Sequence, residues 1–384
     1  MKDILKLNPI SGKVNDILGD NYTITDSANK PEGILVRSFD MHDYEMPSSV
    51  LCVARAGAGV NNIPCEEYAE KGVVVFNTPG ANANAVNELV ITSLLLGSRK
   101  IVPAIDWVKS IKDEDDLSKL VEKGKKQFVG REISGKKLGV IGLGAIGARV
   151  ANSAVSLGMQ VLGYDPYLSV VNALHLSHHI NITNTLDDIY KTCDYITIHV
   201  PYLKDNHHMI DISKIGLMKK GVVIINCARG ELVDNQAILS GLEVGKIGRY
   251  ITDFPAKEII GVDNIICIPH LGASTPEAED NCAVMAAKQL KDYIENGNIV
   301  NSVNYPNCSA PKTSNCRLAI LHLNQRNMIA QFTTILADNH INIDNLVNAS
   351  KGNYAYTLID IEEINDDAFK AMSEIDGIIK IRKI

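Results

Sequence analysis

Three glycines and one acid are the first residues in this chain whose types and spacing suit chemistry. Gly142, Gly144 and Gly147 stand in G-x-G-x-x-G spacing, and Asp165 follows 23 residues after the first. The first glycine permits a sharp turn, the second lets the backbone approach a pyrophosphate, and the third lets a helix close on a strand. A helix opening at Ala145 and Ile146 turns free N–H groups and the positive end of its dipole toward phosphates. An acid at about 20 residues beyond the glycines accepts from ribose hydroxyls and repels a 2′-phosphate. The chemistry is dinucleotide binding, with NAD favoured over NADP.

A bound nicotinamide calls for a proton carrier and a fixed cation at the substrate. Arg229 lies past the strand pattern of residues 221–226, Glu258 past that of 249–253, and His270 past that of 265–268. Histidine is the usual proton carrier near neutral pH. A carboxylate holds an imidazole in one tautomer and favours its protonated form, and a guanidinium orients a carbonyl or carboxylate. Arg37 and Arg55 follow two earlier strand patterns, residues 33–36 and 50–54, and suit an anionic substrate. His175, His178, His179, His207 and His208 have no Cys or acid at ligand spacing, so they read as surface histidines and no metal site is expected.

These residues need elements to hold them. Residues 138–141 read as a strand, 145–157 as a helix with Ile146, Val150, Ala154 and Leu157 on one face, and 160–163 as the strand leading to Asp165. The first 95 residues alternate strands with helices, including a helix at 64–71 and a strand at 73–76, which argues for a parallel α/β unit. In such sheets ligands bind at the carboxyl ends of the strands. An apolar helix over 87–100 carries the chain from the first unit to the second, and 110–127 reads as solvated. Asp234 caps a helix reaching Glu243, and Thr275 with Pro276 opens another that runs to about Ile294. Residues 298–314, with Pro306 and Pro311, read as a linker. A separate small unit follows from Arg317, with strands at 318–323, 341–346, 354–361 and 378–381 and helices at 328–338 and 366–375. Helices packed on one sheet suggest a regulatory or dimerising role for it.

Length and composition set the bounds. The 384 residues suggest two or three domains, and 46% hydrophobic content is enough to build their cores. A net charge of −7 argues against a nucleic-acid surface. Eight cysteines without a C-x-x-C pair read as reduced thiols of a cytoplasmic protein. The longest apolar run, residues 89–96, is too short to span a bilayer, so no membrane partner is expected.

R-A-G-A-G-V-N-N from Arg55, N-T-P-G from Asn77, G-L-G-A-I-G from Gly142, N-C-A-R-G from Asn226, P-H-L-G-A-S-T from Pro269 and V-N-Y-P from Val303 resemble motifs of the D-isomer-specific 2-hydroxyacid dehydrogenases. The resemblance covers nearly the whole chain, and N-C-A-R-G with P-H-L-G-A-S-T is its specific part. It implies an α/β fold with two Rossmann-like doubly wound domains and a small C-terminal α+β ACT-like domain. The substrate-binding domain would be 1–95 with 280–306 returning to it, the NAD-binding domain 96–279, the linker 307–316 and the ACT-like regulatory domain 317–384. The resemblance also implies that Arg229, Glu258 and His270 form the catalytic set. Thr78, Val200, Pro201, Cys227, Ala228, Asp253 and Gly272 would join the glycine loop and Asp165 around NAD. Arg37, Arg55 and Gly57 would hold the substrate, Arg37 by its phosphate.

The activity implied is NAD-dependent oxidation of 3-phospho-D-glycerate to 3-phosphohydroxypyruvate, the entry to serine biosynthesis. Reduction of glyoxylate, hydroxypyruvate or another 2-keto acid is the alternative, as is a non-catalytic NAD-sensing protein on the same fold. The ACT-like tail implies a homo-oligomer, dimer or tetramer, with L-serine held by His322, Asn324 and Asn342. Two departures stand out. The family's D-V-F-x-x-E-P-P reads D-F-P-A-K-E-I-I here, where only Glu258 keeps its spacing from Asp253, and the N-x-P-G turn of the ACT module reads N-Q-R-N from Asn324.

Overall fold

Apolar runs without polar alternation become parallel strands, because helices on both faces of such a sheet bury both sides of every strand. The computed structural model describes residues 1–384, the side chain of residue 171 excepted. The chain divides into two units, Met1–Ala81 with Pro276–Ile384, and Asn82–Thr275.

The first unit begins with a five-stranded sheet: β1 (Lys2–Lys6), β2 (Tyr22–Thr25), β3 (Gly33–Val36), β4 (Cys52–Arg55) and β5 (Val74–Phe76). All are parallel, in the order β2-β1-β3-β4-β5. The helix Pro276–Asn296 returns to this sheet and packs Cys282, Ala283, Ala286, Leu290 and Tyr293 into its core.

The second unit holds a seven-stranded parallel sheet: β6 (Lys137–Ile141), β7 (Gln160–Tyr164), β8 (Ile180–Ile182), β9 (Tyr195–Ile198), β10 (Val222–Asn226), β11 (Ile247–Thr252) and β12 (Ile265–Cys267). Its order is β12-β11-β10-β9-β6-β7-β8. The winding reverses between β6 and β9, and ligands of such sheets lie outside the carboxyl ends of the strands at that reversal. The apolar helix expected over 87–100 runs from Ala83 to Ser98 and stops where Arg99 turns extended. A second helix, Ile101–Ser110, follows it, and the solvated stretch forms the helix Leu117–Gly124; neither buries a residue.

The tail forms a four-stranded antiparallel sheet, β13 (Cys316–Leu323), β14 (Asn345–Lys351), β15 (Tyr354–Ile361) and β16 (Ile378–Lys383), in the order β14-β15-β13-β16. The strand expected over 341–346 begins only at Asn345. The helices Met328–Asp338 and Asp366–Ser373 cover one face, where Leu318, Ile320, Phe332, Ile359 and Met372 pack together. The other face packs against the first unit's core. Ala319, Leu321, Tyr356 and Leu358 share one cluster with Leu290, Tyr293, Ile299, Tyr305 and Cys308. This is why β15 is buried at every position although it belongs to an antiparallel sheet.

Neither the free linker over 307–316 nor a tail standing apart from Arg317 is found. Ile299 and Cys308 form a β-bridge, and both side chains are buried. Arg317 is wholly buried and uses all five of its side-chain N–H groups. Nε and Nη2 donate to the two Asp360 oxygens at 2.6 and 2.8 Å, Nη1 to the Asn296 and Ala310 carbonyls, and Nη2 also to the Pro311 carbonyl. The segment therefore closes around a cation that recruits three of the backbone carbonyls around it.

Burial alone would raise the Asp360 pKa, but the Arg317 and Thr313 hydrogen bonds outweigh it and hold the carboxyl below its usual value. Asp360→Ala should cost about 3–5 kcal/mol, since it strands a buried guanidinium; urea unfolding measures this. A depressed carboxyl stabilises above its unfolded pKa of about 3.9 and loses that contribution as pH falls through its folded value. The gap between wild type and the variant should therefore narrow below about pH 4.

Candidate active site

The glycine loop follows β6 at the winding reversal. Gly142 has φ +92°, and a Cβ there would lie 2.6 Å from the His199 carbonyl. A Cβ on Gly147 would run into the Gly142 carbonyl, while Gly144 has nothing within 4 Å of where its Cβ would be. Two glycines are thus required by the protein's own packing, and the third leaves open space, which fits a ligand approaching the backbone. Ala145 begins the 12-residue helix Ala145–Ser156, with Ile146 also in its first turn. Asp165 accepts from the Leu143 N–H at 2.9 Å and the Tyr167 N–H at 2.9 Å, so the acid expected at the ribose also braces the loop. Val200 and Pro201 follow β9, and a Cβ on Gly142 would come within 2.9 Å of Val200. His199, which the motif search passed over, packs against Gly147 and pairs Nε2 with Thr197 Oγ1 at 3.0 Å. Burial pushes its pKa down to about 3, so it stays neutral.

Arg229 and His270 sit on loops that converge on Phe254. Arg229 Nη1 donates to the Ala228 carbonyl at 2.6 Å. Asn226, at the end of β10, donates to the Arg229 carbonyl at 2.8 Å and accepts from the Ala228 N–H at 3.1 Å. A Cβ on Gly230 would touch Phe254, whose ring lies 4.9 Å from the His270 ring. Cys227 is buried, which pushes its thiol up to about 12, so it is no thiolate.

His270 has φ +55°, a left-handed conformation that costs a non-glycine residue energy. Asp253 holds it there. The Asp253 carbonyl accepts from the His270 N–H at 3.1 Å, and its carboxylate accepts from the Leu271 and Gly272 N–H groups at 2.7 and 2.8 Å. Burial raises the Asp253 pKa, and those backbone donors, with the His270 charge, temper the rise. Glu258 is not paired with His270. Its Oε1 accepts from Asn235 at 2.8 Å, which lowers its pKa, and its side chain is exposed. Residues 256–260 form a turn in which the Ile259 and Ile260 N–H groups donate to the Ala256 carbonyl, and Glu258 reaches the helix Asn235–Glu243 from it. The carboxylate that feels the His270 charge is that of Asp253.

Arg37, Arg55, Gly57 and Thr78 lie on the first unit. Arg55 Nε donates to the Arg37 carbonyl at 3.0 Å and its Nη1 to the Gly59 carbonyl. A Cβ on Gly57 would press on the Arg55 guanidinium, and the Gly57 carbonyl accepts from the Thr78 N–H at 3.1 Å. Arg37 pairs instead with Glu279 at 2.7 Å, a partner sequence reasoning missed because it lies 242 residues away.

The three expected effector residues do not converge within one chain. His322 is buried, with Nε2 against Thr357 Oγ1 at 2.9 Å and Nδ1 against the Leu323 carbonyl at 2.8 Å, and burial lowers its pKa. Asn324 follows β13, donating to the Gly352 carbonyl at 3.1 Å. Asn342 donates to Asp344 at 3.0 Å and lines a cavity with Thr313, Ser314 and Asn315, which precede β13. Asn324 lines a different cavity, with Glu70, Tyr354 and Gly377.

Residues 91–272 match the D-isomer specific 2-hydroxyacid dehydrogenase, NAD binding domain. A D-3-phosphoglycerate dehydrogenase of Methanocaldococcus jannaschii is 37% identical over 274 residues, covering 70% of this chain and 50% of its own length. A D-3-phosphoglycerate dehydrogenase of Haemophilus influenzae is 31% identical over 341 residues, covering 84% of this chain and 78% of its own. The chain spans about half the length of several curated relatives it matches. Among solved structures, an NAD+-bound 3-phosphoglycerate dehydrogenase of Entamoeba histolytica superposes with a TM-score of 0.61 at 26% identity, over 79% of this chain and 98% of that one.

The glycines should separate by variant. Gly144→Ala should leave the fold intact and weaken NAD about tenfold, since its Cβ fills only the open space. Gly147→Ala should lower the melting temperature by about 5 °C or more, because overpacking costs roughly 1–3 kcal/mol. Calorimetric unfolding and NAD titration read the two effects apart.

Proposed function

The chain belongs to the D-isomer-specific 2-hydroxyacid dehydrogenases, and we propose that it oxidises 3-phospho-D-glycerate to 3-phosphohydroxypyruvate with NAD, as a cytoplasmic homo-oligomer at the entry to serine biosynthesis. The observation that carries the substrate reading is Arg37. Its neighbour Arg55 donates to backbone carbonyls and fixes the loop, whereas the Arg37 guanidinium meets the part-exposed carboxylate of Glu279. A phosphate suits that fork, and a plain hydroxy acid has no group to place there. The relatives named D-3-phosphoglycerate dehydrogenase support the same substrate.

Bound NAD would supply the hydride acceptor. His270 takes the hydroxyl proton, Arg229 orients the carboxylate or the forming carbonyl, and Asp253 holds the His270 backbone in its left-handed turn. Either Glu258, after a side-chain rotation from Asn235, or Asp253 favours the imidazolium. The outer edge of β14 is unpaired within the chain and could join a second copy. Serine would then bind between the tails, held by Asn324 and Asn342 from different copies, with His322 behind them.

A panel of 2-hydroxy and 2-keto acids, with and without phosphate, followed by NADH absorbance, tests the reading. The phosphorylated substrate should win, and a preference for glyoxylate or hydroxypyruvate would replace it with the reductase reading. His270→Ala should cost about 10²–10⁴ in kcat and leave NAD affinity unchanged. Oxidation needs neutral His270, so the rate falls in acid. Removing the carboxylate that favours the imidazolium should move that acid limb to lower pH. Glu258→Gln and Asp253→Asn identify which acid it is by which one shifts the limb. Millimolar serine should lower the rate, and an unchanged rate would remove the effector from the reading.

A further inference from the structure

We propose that Glu279 is a specificity-determining placeholder, a carboxylate that occupies the Arg37 guanidinium in the free enzyme and that the substrate phosphate must displace. The inference rests on the reading of Arg37 as the phosphate ligand.

Among the described residues, Glu279 is the ion-pair partner of Arg37. Arg37 Nη2 lies 2.7 Å from Glu279 Oε1, and both side chains are about two-fifths exposed, at 39% and 42%. The main-chain groups of Arg37 are spent elsewhere, its N–H on Asn8 and its carbonyl on Arg55. The neighbouring acid is handled differently. Asp280 pairs with Lys13 at 2.6 Å and accepts from Ser11 at 2.5 Å, which fixes the start of the helix Pro276–Asn296 to the first strand–helix loop. The helix thus has its own anchor, and Glu279 is not needed for that purpose.

Glu279 lies in the first turn of this helix, where a negative charge is favoured by the dipole. Swung away from Arg37, it keeps that favourable position and reaches solvent. It can therefore leave without stranding a buried charge. While it stays, it repels any dianion seeking the same guanidinium, and like charges a few ångströms apart near a surface oppose one another measurably. An unphosphorylated acid does not compete for Arg37 and gains nothing from displacing Glu279. The carboxylate therefore weakens phosphate binding in particular, which eases departure of the phosphorylated product.

The test compares 3-phospho-D-glycerate with D-glycerate in wild type, Glu279→Gln and Arg37→Ala, all with the full chain. Glu279→Gln keeps the size and hydrogen-bonding reach of the side chain and removes the charge. It should lower KM for the phosphorylated substrate by roughly three- to tenfold, widening the KM ratio of the two substrates. The wild-type KM for the phosphorylated substrate should also change with salt differently from that of the variant, since one of its charges is missing. An unchanged or raised KM in Glu279→Gln, with Arg37→Ala still raising KM for the phosphorylated substrate alone, overturns the placeholder and leaves the phosphate reading standing. Equal losses for both substrates in Arg37→Ala overturn the phosphate reading, and the placeholder falls with it.

Discussion

The second unit depends on one backbone contact, the close seating of Gly147 against the Gly142 carbonyl. Any larger residue at Gly147 would push the helix Ala145–Ser156 off β6. That helix opens with the N–H groups expected to face the phosphates, and its displacement would open the turn that Asp165 braces through the Leu143 N–H. The nucleotide site is therefore a consequence of how tightly a strand and a helix pack. The same reversal of the sheet places the ends of β6 and β9 together, so His199 and Val200 close the loop from the far side.

Two buried aspartates face the same desolvation and end differently. Burial raises both pKa values. Asp360 meets a forked guanidinium and the Thr313 backbone and side chain, which more than compensate, so it stays ionised and locks the tail. Asp253 meets backbone N–H groups from Leu271 and Gly272, which compensate only in part. A carboxylate held by neutral donors keeps a field that a nearby imidazole can feel. The left-handed His270 backbone needs such a holder, and the loop would relax without it.

Much of this was legible in the sequence. The glycine spacing with its strand, helix and acid located the nucleotide loop, because each part answers to a local steric demand. The helix Met328–Asp338 and the strand Tyr354–Ile361 were bounded to the residue by their periodicity. What could not be read was long-range polar pairing. Glu279 with Arg37, and Arg317 with Asn296, Ala310 and Asp360, join positions with no local pattern. The apparent linker misled for a related reason. Its low apolar content suggested a tether, but its carbonyls are the ligands of Arg317, and Tyr305 and Cys308 supply the apolar contacts. Glu258 was placed by spacing alone, and spacing along the chain could not show that its partner here is Asn235.

The tail is thereby tied to the five-stranded sheet of the first unit by structure, whatever binds it. β13 has no solvent face: one side meets the helices and the other meets Tyr293, Tyr305 and Leu290. His322 lies within this layer as a neutral imidazole with both nitrogens engaged, connecting through Thr357 to Asn348 on β14. The helix Pro276–Asn296 spans about 30 Å at 1.5 Å per residue. Its last residue gives its carbonyl to Arg317, and its first turn places Glu279 on Arg37. A continuous helix with few exposed apolar groups and an anchored first turn is stiff. A displacement of β13 that moves Arg317 must therefore pull on the helix that carries Glu279 or break a fully satisfied buried cation, and the second is by far the costlier.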